Sequence, residues 1–101
     1  MTELYDYYGS LLTEKQRLYF EERHLEDLSL SEIAENAGIS KQGVRDMLLR
    51  AEKSLIALET DLGFAARFRE LSECAAELER LLSAGNTASA LTVVKELKEW
   101  L

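Results

Sequence analysis

Residues 30–49 read LSEIAENAGISKQGVRDMLL, and the fold turns on this stretch. Two helices pack steeply across a tight turn only if the positions where they meet are small or apolar. Ala34 is small where the helices approach, and Gly38 can take the left-handed backbone of a corner. Ile39 is placed to plug that corner, while Ile33, Val44 and Met47 or Leu48 fill the shared core. Every constrained position is satisfied, which predicts a helix-turn-helix; the plainer alternative is an ordinary helical hairpin with a glycine in its loop.

The flanking residues carry helix-start signals. Ser29 with Glu32 three positions on is a capping box, as is Thr13 with Gln16, and Ser40 is placed to cap the second helix of the motif. The Thr13 box predicts a helix over 14–24, with Leu18, Leu25 and the intervening Tyr19 and Phe20 on its buried side. Before it, Leu4, Tyr5, Tyr7 and Tyr8 read as a short aromatic helix closing over the core. After Ser40 no breaker occurs until Gly63, and Val44, Leu48, Ala51, Leu55, Leu58 and Leu62 recur at steps of three or four. That spacing predicts one long helix of roughly 20 residues.

Past Gly63 the stripe continues as Phe68, Leu71, Ala75, Leu78 and Leu82, up to the turn pair Gly85–Asn86. Thr87 is expected to cap a last helix carrying Leu91, Val94, Leu97 and Leu101. The expected architecture is therefore all-α. Residues 1–62 form a helix-turn-helix domain with a long recognition helix, and residues 63–101 form a helical hairpin that serves dimerisation or partner binding. A 40-residue head should not cover the whole Val44–Leu62 stripe, so a twofold homodimer is expected.

Composition narrows the function classes. The chain has no proline and five glycines in 101 residues, which favours helices throughout. Twelve Lys and Arg against 19 Asp and Glu give a net charge of -7, and residues 1–62 alone hold seven against thirteen. Such a balance repels a polyanion at long range, so any nucleic-acid contact has to come from a local patch. The single cysteine, Cys74, has no internal disulfide partner, and MTELYDYYG has neither a basic lead nor an apolar signal stretch. With no apolar run near the roughly 20 residues a spanning helix needs, a cytoplasmic location without membrane insertion is expected.

Chemistry-bearing residues do not converge into a catalytic pattern. His24 is the only histidine and has no neighbouring ligand in sequence, so it reads as a helix-end or surface residue. Cys74 reads as a packing residue, and the acids at 21, 22, 70, 73, 77 and 79 are spaced as solvated helix faces. No phosphate loop or dinucleotide fingerprint occurs. The reading is of a protein that is not an enzyme and holds no metal or cofactor. Tyr5, Tyr7, Tyr8, Tyr19 and Phe20 could stack on RNA bases, but core packing is their plainer use.

With Val44 and Leu48 assigned to the core, helix geometry turns Lys41, Gln42, Arg45, Asp46 and Leu49 outward. In a DNA-reading helix, Lys and Arg meet guanine and Gln meets adenine, while Arg50 and Lys53 further along could meet phosphates. The nucleic-acid-binding candidates are Lys41, Gln42, Arg45 and Arg50.

Residues 11–59, LLTEKQRLYFEERHLEDLSLSEIAENAGISKQGVRDMLLRAEKSLIALE, resemble the fourth region of sigma factors. They are more similar still to the YlxM-like family of small bacterial helix-turn-helix proteins, through LLTEKQR, the EIAE turn helix and RAEK at Arg50–Lys53. The resemblance spans roughly residues 4–64. It implies a sigma region 4-like domain and a regulatory protein whose gene accompanies those of the signal recognition particle pathway, with a role toward that particle's GTPase or RNA. Two readings stand open: a regulator presenting Lys41, Gln42, Arg45 and Arg50 to DNA or RNA, and a protein-binding adaptor engaging a signal recognition particle component through acidic helices. A sigma-competing factor ranks third, because no second promoter-reading region accompanies the motif.

Overall fold

Four of the six helices start behind a residue whose side chain takes one of the first free backbone donors. The computed structural model describes residues 1–101 and contains six α-helices: α1 (Thr2–Tyr8), α2 (Glu14–His24), α3 (Leu30–Ala37), α4 (Lys41–Leu62), α5 (Phe64–Ser83) and α6 (Thr87–Trp100), with a 3-10 turn at Gly9–Leu11. Both capping boxes form. The Gln16 amide N–H donates to Thr13 Oγ1 at 3.2 Å while Thr13 N–H donates to Gln16 Oε1 at 3.0 Å. Ser29 and Glu32 make the same reciprocal pair at 3.1 and 3.2 Å. Ser40 Oγ accepts from Gly43 N–H at 3.0 Å and opens α4. One cap differs from expectation: Asn86, not Thr87, accepts from Ser89 N–H at 3.2 Å, and Thr87 is the first helical residue.

The corner between α3 and α4 rests on Gly38, whose φ of 68° and ψ of 31° are left-handed. A side chain there would be strained by its backbone alone, since no atom lies within 4 Å of the position a Cβ would take. Ile33, Ala34, Val44 and Leu48 are buried and Met47 packs against them, as a helix-turn-helix requires. Ile39 does not plug the corner. It is 41% exposed and lies over the first turn of α4, where its Cδ1 is 3.6 Å from the position of a Cβ on Gly43.

Cα packing divides the chain into two units, Met1–Ala65 and Ala66–Leu101. In the first, two adjacent aromatics of α2 point into two clusters. Phe20 joins Tyr8, Leu12, Ala51 and Leu55; Tyr19 joins Ile33, Ala34, Val44 and Leu48. Successive helical residues are about 100° apart, so a side that buries both 19 and 20 leaves 18 and 25 outside it. Leu18 and Leu25, expected in the core, are accordingly exposed. Tyr5 stacks on Phe20 with ring centroids 4.5 Å apart and donates its hydroxyl to Glu21. Gly9 lets that ring lie close, because a Cβ there would stand 2.8 Å from Tyr5 Cε2.

A polar hub fastens α1 to the far end of α4. The Tyr8 hydroxyl donates to Glu59 Oε1 at 2.6 Å and accepts from Phe64 N–H at 3.0 Å, while Ala65 N–H donates to Glu59 Oε1 at 3.0 Å. Gly63 brings no capping side chain to α5, so Tyr8 and Glu59 take the backbone donors at its start. Burial, followed by the Glu59 hydrogen bond, raises the Tyr8 pKa above its ordinary value.

The α4 stripe is better covered than its length suggests: Val44, Leu48, Ala51 and Leu55 are all buried by the head, and Leu58 packs against them. What α4 leaves exposed is a different line, Leu49 and Ile56, together with Leu62 at its end.

In the second unit, α5 and α6 form a hairpin across the Gly85 turn. Its seam is not the expected one. Leu81 and Ala90 are buried, with Leu71, Cys74, Leu78, Val93 and Leu97 half-buried, while Phe68, Ala75, Leu82, Leu91, Val94 and Leu101 are exposed. Two stripes run along α5 and share Leu71 and Leu78, and pairing with α6 selects the one through Cys74 and Leu81. No helix of the structure is long and apolar enough to cross a membrane.

Candidate nucleic-acid interface

The four candidates sit on the half of α4 that the core positions turn outward. Lys41, Gln42, Arg45 and Arg50 are all exposed, as are Asp46, Leu49 and Lys53. On a helix, residues four apart form ridges. Lys41, Arg45, Leu49 and Lys53 make one ridge, and Gln42, Asp46 and Arg50 make its neighbour. At a rise of 1.5 Å per residue the cations are spread over about 18 Å. Ser40 and the left-handed Gly38 fix where this face begins, and Val44 and Leu48 fix which way it looks.

The face is internally ordered. Gln42 Nε2 donates to Asp46 Oδ1 at 2.9 Å, and Arg45 Nη1 donates to Gln42 Oε1 at 3.2 Å. The one acid on the face is thus occupied by an amide, and Arg45 gives one of its five N–H donors to Gln42. From helix geometry alone Asp46 is only one of the outward-facing residues. The spacing of four from Gln42 and of three from Gln42 to Arg45 is the signal for the pairing actually formed.

Other charged groups near the motif are engaged elsewhere. His24 packs its ring 4.3 Å from that of Phe20 and has Nε2 3.9 Å from Glu52 Oε1, which places the Glu52 carboxylate on the α2 side of α4. Arg23 donates to the Leu28 carbonyl at 3.2 Å and braces the α2–α3 loop, where Asp27 takes a φ of 55°. The aromatics considered for base stacking are used in packing: Tyr8, Tyr19 and Phe20 are buried, and Tyr5 lies against Phe20.

Comparison with known proteins agrees with this geometry. The model of the UPF0122 family, described as "Putative helix-turn-helix protein, YlxM / p13 like", matches residues 1–94. A UPF0122 protein of Thermoanaerobacter sp. (strain X514) is 55% identical over 71 residues, 70% of this chain and 61% of that protein. One from Desulforamulus reducens is 44% identical over 87 residues, 86% of this chain and 74% of the relative. One from Halalkalibacterium halodurans is 40% identical over 96 residues, 95% and 88% of the two chains. The match to the first of these spans about three fifths of the relative's length. The chain belongs to the UPF0122 family of YlxM / p13-like helix-turn-helix proteins.

Proposed function

We propose that the protein is a non-enzymatic regulatory module that binds duplex nucleic acid with the exposed face of α4. The observation that carries this reading is a segregation of charge. Four of the seven Lys and Arg in residues 1–62 lie within residues 41–53, where only two of the thirteen acids fall. Of those two, Asp46 is held by Gln42 and Glu52 is turned toward His24. A local patch of this kind can overcome an adverse net charge at contact distance, because screening confines the repulsion of remote acids to about a Debye length, roughly 8 Å at physiological salt. Lys41 and Arg45 stand near the helix N-terminus, where base edges are met, and Arg50 and Lys53 are set to reach phosphates.

Titration of a random-sequence duplex at several salt concentrations tests the reading. Affinity should fall with a logarithmic slope of about 0.9 per phosphate contacted, and Arg45→Glu should abolish binding. A salt-independent interaction, or one that survives Arg45→Glu, would remove α4 as the interface.

A second reading is favoured by the hairpin, which exposes Leu82, Leu91 and Trp100 beside six acidic residues. Here the protein is an adaptor whose second unit engages a basic protein, with a signal recognition particle component the partner that the family resemblance suggests. Homodimerisation fits the adaptor reading, with Leu49 and Ile56, seven residues apart on α4, as a seam for a second copy; because Leu49 lies on the ridge of Lys41, Arg45 and Lys53, that seam would compete with nucleic acid for α4. Light scattering behind size exclusion decides the dimer.

A further inference from the structure

The hairpin is closed at one end and open at the other. Beside the turn, Leu81 and Ala90 are buried. Farther along, Leu71, Cys74, Val93 and Leu97 are only half-buried, and Trp100 keeps 43% of its surface exposed. Together with Glu70 and Glu96 these five residues line a groove of about 210 Å³. The floor is apolar, one carboxylate stands on each helix, and no Lys or Arg lines the groove.

The two parts of this site make opposite demands. The floor gains about 25 cal/mol for each Å² it withdraws from water. The two carboxylates lose on the same event unless the occupant supplies charge-assisted hydrogen bonds. An apolar ligand alone would strand Glu70 and Glu96, and a polyanion would be repelled by them. A second copy of the chain would bring a further net charge of -7 against this rim. A ligand that carries an apolar side chain together with cations satisfies both demands.

We propose that the groove docks a partner protein through a segment presenting one large apolar side chain flanked by Lys or Arg. The apolar side chain fills the space between Leu71, Cys74, Val93, Leu97 and Trp100, and the flanking cations pair with Glu70 and Glu96. The inference rests on the protein-partner reading above, gives it a place and a chemistry, and leaves the α4 reading untouched.

Trp100 is the only tryptophan in the chain, so its emission reports on the groove directly. The probe is a synthetic alanine-based peptide with one leucine between lysines, compared with the same peptide carrying glutamates. The full-length chain should show a saturable blue shift with the lysine peptide alone. Replacing both rim carboxylates (Glu70→Gln with Glu96→Gln) should weaken binding by roughly tenfold, as expected for the loss of two ion pairs. The control Glu35→Gln with Glu79→Gln changes net charge equally at exposed positions outside the groove, and should leave binding as it was. Equal weakening by the two double variants would show that cations are gathered by general charge, overturning the groove while keeping an acidic partner surface. An equal response to both peptides overturns the charge argument. Absence of binding to either peptide overturns the groove inference and leaves the protein-partner reading to the exposed Leu82 and Leu91, which lie outside the groove.

Discussion

The two units of this chain have comparable helical content and very different interiors. Residues 1–65 bury eleven apolar side chains in or beside two clusters, whereas residues 66–101 bury only Leu81 and Ala90. The head gets its interior from aromatics reaching across helices: Tyr8 from α1, Tyr19 and Phe20 from α2, all meeting α4. The hairpin has aliphatic stripes on two helices and no third element of its own to close over them. Amphipathic periodicity runs along α4 of the head and along α5 and α6 of the hairpin alike, so periodicity indicates where helices form and leaves open how much of them becomes interior.

The sharpest test of that difference is Phe20→Ala. Phe20 is fully buried between Tyr5 and the α4 residues Ala51 and Leu55, so truncation should cost about 3–5 kcal/mol. Urea denaturation followed by circular dichroism measures it, and a loss below about 1 kcal/mol would mean the head can collapse around the vacancy.

Next in size is the hub at Tyr8. Tyr8→Phe keeps the ring but leaves Phe64 N–H without its acceptor and removes one of the donors to Glu59, which keeps that of Ala65 N–H, and this should lower the folding equilibrium constant by roughly tenfold. The same hydroxyl sets a pH dependence. Its pKa is raised in the folded state above the ordinary 10.0, first by burial and then by Glu59. A group shifted upward on folding contributes stability that is complete below its unfolded pKa and is lost as pH climbs through the folded one. Stability should therefore decline above about pH 10, and less steeply in Tyr8→Phe. Tyr5, raised by burial and by Glu21, adds to the decline and persists in the variant. Denaturation midpoints across the alkaline range separate the two tyrosines.

What could be read in the sequence was local. Capping boxes span three residues, the Gly38 corner needs one left-handed backbone, and the outward turn of Lys41, Gln42, Arg45 and Arg50 follows once Val44 and Leu48 are assigned inward. The Tyr8–Glu59 hydrogen bond joins residues 51 apart and has no local signature. Burial on α2 was misread because Leu18 and Leu25 are as apolar as the buried pair, and only the positions of α1, α3 and α4 decide between them. On α5, stripes through Ala75 and through Cys74 were equally regular until α6 chose one. The same choice opens the groove at Trp100, which no reading of α5 or α6 alone would reveal.

Gly38→Ala asks whether the corner of the head is held by backbone or by packing. With open space around the position, the substitution meets no neighbour and should cost about 1 kcal/mol from the left-handed backbone alone. Gly38→Asn should recover part of that, because Asn tolerates this conformation better than other side chains. If both variants lost equally, packing rather than φ would be the constraint.

The smallest effect belongs to the outer side of the hairpin, at Leu82→Ala. Leu82 is 57% exposed, so its side chain has little contact to lose, and a substitution of this kind normally changes stability by less than about 0.5 kcal/mol. That value applies to a chain acting alone. If a second copy covers this face, Leu82→Ala would instead cost in proportion to the area covered, and the denaturation midpoint would rise with protein concentration in the parent but less so in the variant. Measured at two concentrations, this near-silent substitution tells an open face from a subunit interface, because only an interface makes an exposed leucine expensive.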